Sequence, residues 1–370
     1  MSQNFATLKG TEKYANRFPE ATQAGYFRKV NGLLLSSIGV GTYLGEMDDR
    51  TDELSYKALE QCLGSGVNVI DSAINYRSQR SERVIGNVIY DLIEKKKLTR
   101  EEILISTKGG FIPFDGDDPS NAAEYFEENY LSLGILKPGD VVQGCHAMTP
   151  TYLENQLERS LTNLSLDTID LYYIHNPETQ LEEISERDFY ERLVKAFELL
   201  EEKVSEGRIK MYGTATWNGC RISHEAKGYL SLKKVLEVAE RAGGKHHHLR
   251  AIQLPYNLGM PEAFVNQNQA WEGEAVSAIE FARRANLMVF TSASLLQGRL
   301  AQKMPDKVRS LFPKCSSAAS SALQFARSTP GVTTALVGMK SIAHISENLA
   351  VSQITPLSAE DFLNLFTSRS

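Results

Sequence analysis

Residues 68–76 read NVIDSAINY. Val67, Asn68, Val69 and Ile70 have the character of the end of a buried strand. An aspartate, Asp71, follows the apolar run at once, and a phenol, Tyr76, comes five residues later. A carboxylate where a core strand stops is costly unless it has a partner. The repeating pattern around this stretch supplies the setting.

Outward from it, short apolar runs alternate with amphipathic helical patterns. YFRKVNGLLLSSIG holds two strand-like runs around Asn31-Gly32, a type I′ hairpin signal. Strands are then expected in LSSIGVGTY, GVNVIDSA, EILISTKGG, TIDLYYIHNP, IKMYGTATW, LRAIQLPYN, LMVFTSAS and TTALVGM. Between them lie helices such as SERVIGNVIYDLIEKK, with Val84, Ile85, Val88, Ile89, Leu92 and Ile93 on one face. PTYLENQLERSLTNL is another, capped by Thr149 and started by Pro150. SIAHISENLAVS is expected to begin the last helix. Near-continuous apolar strands alternating with helices imply a parallel sheet, and eight such units imply a closed (β/α)8 TIM barrel with an N-terminal β-hairpin. An open doubly wound sheet is the alternative. One domain is expected over residues 26–370, preceded by a polar, loosely ordered extension at 1–25. A long loop insertion at 111–148 is expected to overhang the catalytic face.

The chain has 370 residues, 42% hydrophobic and 23% charged, with a net charge of −6. That is globular composition. The acidic balance argues against a nucleic-acid partner. No apolar run suits a membrane span and the N-terminus has no secretory pattern, so a cytoplasmic protein is expected. Cys62, Cys145, Cys220 and Cys315 form no metal pattern and read as free thiols. His246, His247 and His248 precede a strand, at the end of a barrel away from chemistry. They read as a solvated loop, and no metal is expected.

In a barrel the strand C-termini converge on one mouth. Asp71, Lys108 and His175 each end a strand, and Tyr76 lies in the loop after the second. Taken singly, each has an ordinary reading as a cap, a solvated cation, a core histidine or amphipathic packing. Together they can do chemistry. A free phenol titrates near 10, too high for easy proton exchange at neutrality. A neighbouring ammonium stabilises the phenolate, and a lysine in an apolar barrel needs a carboxylate to stay charged. The aspartate holds the lysine, the lysine tunes the tyrosine, and His175 donates to a carbonyl oxygen or relays the proton.

These residues sit in motifs that resemble the aldo-keto reductase superfamily, NAD(P)(H)-dependent oxidoreductases on a hairpin-plugged (β/α)8 barrel. GVNVIDSAINYRSQRSERVIG is similar to that family's Gly-x-Asn-x-x-Asp-Thr-Ala-x-x-Tyr and Ser-Glu-x-x-x-Gly pattern. LERSLTNLSLDTIDLYYIHNPE is similar to its Ser-Leu-x-x-Leu-x-x-x-x-x-Asp-Leu-x-x-x-His signature. The likeness runs from about Gly32 to Asn348 and puts the four catalytic positions on Asp71, Tyr76, Lys108 and His175. It implies substrate contacts at Tyr43, Tyr76 and His175. It also implies cofactor contacts at Gly41, Thr42, Asp71 and Gln253, the last on the nicotinamide carboxamide. Ser292, Ser294, Leu295 and Arg299 would follow the pyrophosphate. Lys340, Ser341 and His344 would face a 2′-phosphate, and Glu347 and Asn348 the adenine. Ala215 and Thr216 replace the usual Ser-Asn pair, Ser292 the usual stacking aromatic and Ser294 the usual proline.

The resemblance implies NADP(H), preferred over NAD(H), and reduction of an aldehyde, ketone or sugar carbonyl with Tyr76 as general acid. The alternatives are an NAD-dependent sugar or alcohol dehydrogenase and a cofactor-binding regulatory protein with little turnover.

Overall fold

The computed structural model describes residues 4–367. Eight parallel strands close into a barrel in the order β11-β12-β3-β4-β5-β6-β7-β8. They are β3 (Ile38–Gly41), β4 (Val69–Asp71), β5 (Leu104–Gly109), β6 (Ile169–His175), β7 (Ile209–Ala215), β8 (Leu249–Pro255), β11 (Met288–Ser292) and β12 (Thr334–Val337). Closure rules out the open doubly wound sheet, which would leave two edges. The remaining strands form two antiparallel ribbons, β1 (Phe27–Val30) with β2 (Leu33–Ser36), and β9 (Gln269–Trp271) with β10 (Glu274–Val276).

The β1–β2 hairpin turns at Asn31 and Gly32, with φ of 44° and 72°. Both values are positive, as a type I′ turn requires. Its Leu33 and Leu35 pack with Val69, Leu104, Leu171, Met211, Ala251, Met288, Phe290 and Leu336 in the barrel interior. The hairpin thus plugs one end, and the mouth at the strand C-termini stays free for chemistry. A second, larger cluster lies between the strands and the outer helices.

Residues 4–25 are not loosely ordered, contrary to expectation; residues 1–3 lie outside the described residues. Helices span Leu8–Ala15 and Pro19–Gln23. Tyr14 is fully buried, its hydroxyl 2.6 Å from the Leu63 carbonyl oxygen and 2.8 Å from that of Val67. The helix that caps the barrel's eighth unit, Ile342–Leu349, is not the last either, for Ala359–Thr367 follows it.

The 111–148 segment is also more than a loop. It holds an α-helical turn at Ala122–Phe126 that runs into a π-helical one at Glu127–Leu131. Its neck is closed by Ile112 N–H donating to the Cys145 carbonyl (2.8 Å) and Ala147 N–H to that of Gly110 (2.9 Å). Tyr125, Phe126 and Tyr130 pack on one another, and Tyr130 on Tyr152 of the helix Pro150–Leu164.

Candidate active site

Strand register brings the sequence candidates together. Asp71 pairs with Gly41 and Ser106 across its two neighbours, and His175 with Ala215, which pairs with Gln253. These positions share the C-terminal rim of the barrel. All but Ser106 line a cavity of about 800 Å³.

Lys108 is fully buried at the cavity floor. Its ammonium donates to Asp71 Oδ2 and to the Ser72 carbonyl, both at 2.6 Å, and to the Tyr76 hydroxyl at 3.4 Å. It also lies 4.8 Å from the centre of the Tyr76 ring, a cation–π position. Burial works against the ammonium, yet Asp71 and then Tyr76 hold the Lys108 pKa above its ordinary value. Asp71 Oδ1 is held in turn by Ser106 Oγ and Gln253 Nε2, each at 2.8 Å. A buried carboxylate with three side-chain donors is adequately paired. Gln253 therefore has a role the motif did not suggest, since its amide nitrogen orients Asp71.

Burial pushes the Tyr76 phenol above its ordinary pKa, and the Lys108 charge pulls against that shift without reversing it. The net direction is upward, contrary to the expected lowering, so Tyr76 keeps its proton at neutrality. Across the cavity, burial and the charge on Lys108 lower the His175 pKa well below the ordinary histidine value, leaving a neutral imidazole. Its ring lies edge-on to Tyr76 with centroids 5.8 Å apart. Tyr43 is more than half exposed and stands edge-on to the other side of Tyr76 at 5.1 Å.

The cavity extends from this floor to one face of the helix Ile342–Leu349. Gly41, Thr42, Ser292, Ser294, Leu295, His344, Glu347 and Asn348 all line it. Thr42 Oγ1 lies 2.9 Å from Ser72 Oγ, tying the first rim loop to the second. Three expected cofactor residues lie elsewhere. Arg299 is exposed and outside the lining, and Ser341 is also outside it. Lys340 borders a small adjoining pocket with Ser55, Leu59 and Met339. Its pKa is lowered by burial and then by the Arg77 charge beside it.

The sequence reading did not single out Asn75, Asn176, Trp217 or Gln297, which also line the cavity. Trp217 carried a usable signal, for it lies two residues past the end of β7, on the rim that supplies the catalytic groups. Of the insertion's aromatics Phe111, Phe114, Tyr125, Phe126 and Tyr130, only Phe111 lines the cavity. Phe114, Tyr125, Phe126 and Tyr130 are spent on packing.

Comparison with known proteins matches this geometry. A model of the Aldo/keto reductase family fits residues 37–239, from β3 to the helix Leu232–Gly243. The chain belongs to the aldo/keto reductase family. The NADH-specific methylglyoxal reductase of Escherichia coli (strain K12) is 27% identical over 191 residues, 50% of this chain and 49% of that protein. The match thus spans about half of that relative's length. An aldo-keto reductase from Klebsiella pneumoniae solved in complex with NADPH superimposes with a TM-score of 0.61 at 20% identity, covering 92% of this chain and 94% of that one. The holo form of an aldo-keto reductase from Bacillus halodurans gives 0.60 at 19% identity, covering 92% and 95%. At these identities the two structures establish the shared barrel.

The residues present fit a dinucleotide. The cavity is large enough for one. Buried polar atoms of its lining residues, Asn75 Oδ1 and Asn348 Oδ1, have no protein partner. The His246–His248 run lies before β8, away from this cavity, with His248 Nδ1 2.7 Å from Glu201 Oε2. Among the described residues no group of three or more His, Cys, Asp or Glu is placed to hold a metal, and no helix is long and apolar enough to cross a membrane.

Proposed function

We propose that this chain reduces an aldehyde, ketone or sugar carbonyl with NADP(H), Tyr76 being the general acid. The observation that carries this reading is the chain from Asp71 through Lys108 to Tyr76 at the floor of a dinucleotide-sized cavity. NADPH, when bound, supplies the hydride. Thr42, Ser292, Ser294, Leu295, His344, Glu347 and Asn348 would hold it along the cavity, and Gln253 would meet the carboxamide from beside Asp71. Tyr43 and His175 would meet the substrate.

The residues divide the remaining work. His175 is neutral and donates from its ring to the carbonyl oxygen, placing that oxygen against Tyr76. The Tyr76 hydroxyl gives its proton to this oxygen as negative charge grows there. Lys108, kept charged by Asp71, stabilises the phenolate left behind. The cavity walls limit water, so each of these electrostatic contacts acts in a low-dielectric setting.

Two observations favour a second reading, NAD-linked oxidation of a sugar or alcohol by the same residues in reverse. Lys340 stands outside the main cavity. The E. coli relative carries the description NADH-specific. Fluorescence titration with NADPH and NADH, then a panel of aldehydes, ketones and sugars, decides between them. Tighter NADPH binding with carbonyl turnover supports the first reading. Tighter NADH binding with alcohol oxidation supports the second. Cofactor binding without turnover of any panel member would make the protein a cofactor-binding regulator.

A further inference from the structure

We propose that His146 is a positioning residue for His175, and that the 111–148 segment serves the active site mainly through this contact. The inference rests on the reading of His175 as part of a reductase site. It starts from a chain of hydrogen bonds whose sense is set at one end. Arg192 Nη1 can only donate, and it lies 2.7 Å from Gln180 Oε1. That places the Gln180 amide nitrogen, also a donor only, 2.9 Å from His146 Nδ1. His146 Nδ1 therefore accepts and carries no proton. The ring proton is on Nε2, which donates to the His175 carbonyl oxygen at 2.7 Å. His146 and Gln180 are both fully buried, so a reversed sense would leave buried groups unpaired.

Two further features are built around this bond. Gly110 has φ of 148°, and a Cβ there would lie 2.8 Å from both His146 Nε2 and the His175 carbonyl oxygen. Glycine leaves the gap that the bond crosses. Phe111 stands edge-on to the rings of His146 at 5.2 Å and His175 at 5.0 Å. His175 is thus held at its backbone by His146 and at its ring by Phe111, one from each side of the insertion's neck. The hold has work to do. The next residue, Asn176, turns into the left-handed region at φ 44°, and His175 Nδ1 has no protein partner to fix the ring. Beyond Phe111 in the cavity wall, what the insertion contributes is this polar contact at the end of β6.

The test compares His146→Phe, which keeps a ring and removes both hydrogen bonds, with His146→Gln, which can donate and accept. His146→Phe should lower kcat about tenfold, the effect of one lost buried hydrogen bond, with the NADPH Kd changed by less than about twofold. His146→Gln should restore kcat to within about threefold of wild type. A folded His146→Phe protein with wild-type kcat, or a Gln variant no better than Phe, overturns the proposal. Should the Phe variant not fold, Gln180→Leu leaves His146 in place and frees its tautomer. It should lower kcat in the same way, and unchanged turnover counts against the proposal. Imidazole ¹⁵N NMR of the wild-type protein at neutral pH separates this inference from the functional reading. A bare Nδ1 and protonated Nε2 at His146 support the brace even if no carbonyl is turned over. A protonated Nδ1 overturns it.

Discussion

Lys108 and Asp71 form a buried ion pair at 2.6 Å, with the ammonium fully inaccessible and the carboxylate nearly so. Neither charge would be tolerated there alone. The pair explains why a carboxylate follows the apolar run of β4. It keeps an ammonium charged beneath Tyr76, where an isolated buried lysine would tend to lose its proton.

Lys108→Met should therefore be costly to stability. It strands Asp71 as an uncompensated buried charge, at about 3 to 5 kcal/mol of stability in chemical denaturation. Adding Asp71→Asn removes that charge, so the double variant should be more stable than Lys108→Met alone. Stability losses that simply add would show that the two side chains do not act as a pair.

Lys340→Ala tests which cofactor the far end reads. If the lysine swings to a 2′-phosphate, NADPH should weaken by about 1.5 to 3 kcal/mol, the size of a charge-assisted contact, while NADH is unaffected. Equal small effects on both, measured by fluorescence titration, would show that Lys340 serves the adjoining pocket only and would favour the NAD-linked reading.

His146 and His175 also predict an acid limit to stability. Burial lowers the His146 pKa from about 6.5 to about 4, and burial with the Lys108 charge lowers that of His175 well below the ordinary value. Between these values the unfolded chain binds protons that the folded chain does not. Stability from these groups is then complete above pH ~6.5 and declines as the pH falls toward ~4, by about 1.4 kcal/mol per unit per group. Denaturation midpoints at pH 7, 6, 5 and 4 should decline over this window, and less steeply in His146→Gln. A His146→Gln profile parallel to wild type contradicts the assignment.

Much of this was legible because it is periodic or local. The Asn31-Gly32 turn is a two-residue signal, and the eight βα units repeat. Asp71, Lys108 and His175 fall on strand ends, whose position the pattern marks. What escaped depends on tertiary partners. The helix Leu8–Ala15 is mostly polar, and what holds it is Tyr14 reaching carbonyls at Leu63 and Val67. The helix Ala359–Thr367 is the exception, missed although its signal is local: Ser358 and Asp361 are spaced as a capping pair, and Ser358 Oγ accepts the Asp361 N–H at 3.0 Å. Gln253 on Asp71 and His146 on His175 join segments far apart in the chain, and no spacing rule encodes such contacts. The insertion's aromatics were visible, but whether a ring faces a cavity or a neighbouring ring is decided by packing alone.

Tyr76→Phe is the most direct test of the central claim. Phe keeps the ring that sits edge-on between Tyr43 and His175 and removes only the hydroxyl that Lys108 faces. The measurement is single-turnover reduction of a carbonyl found in the panel, beside an NADPH titration of the same variant. The account predicts a rate lower by about 10² to 10⁴, the range for loss of a general acid, with cofactor affinity nearly unchanged. A Tyr76→Phe protein that binds NADPH normally and reduces the carbonyl within a few-fold of the wild-type rate would contradict it.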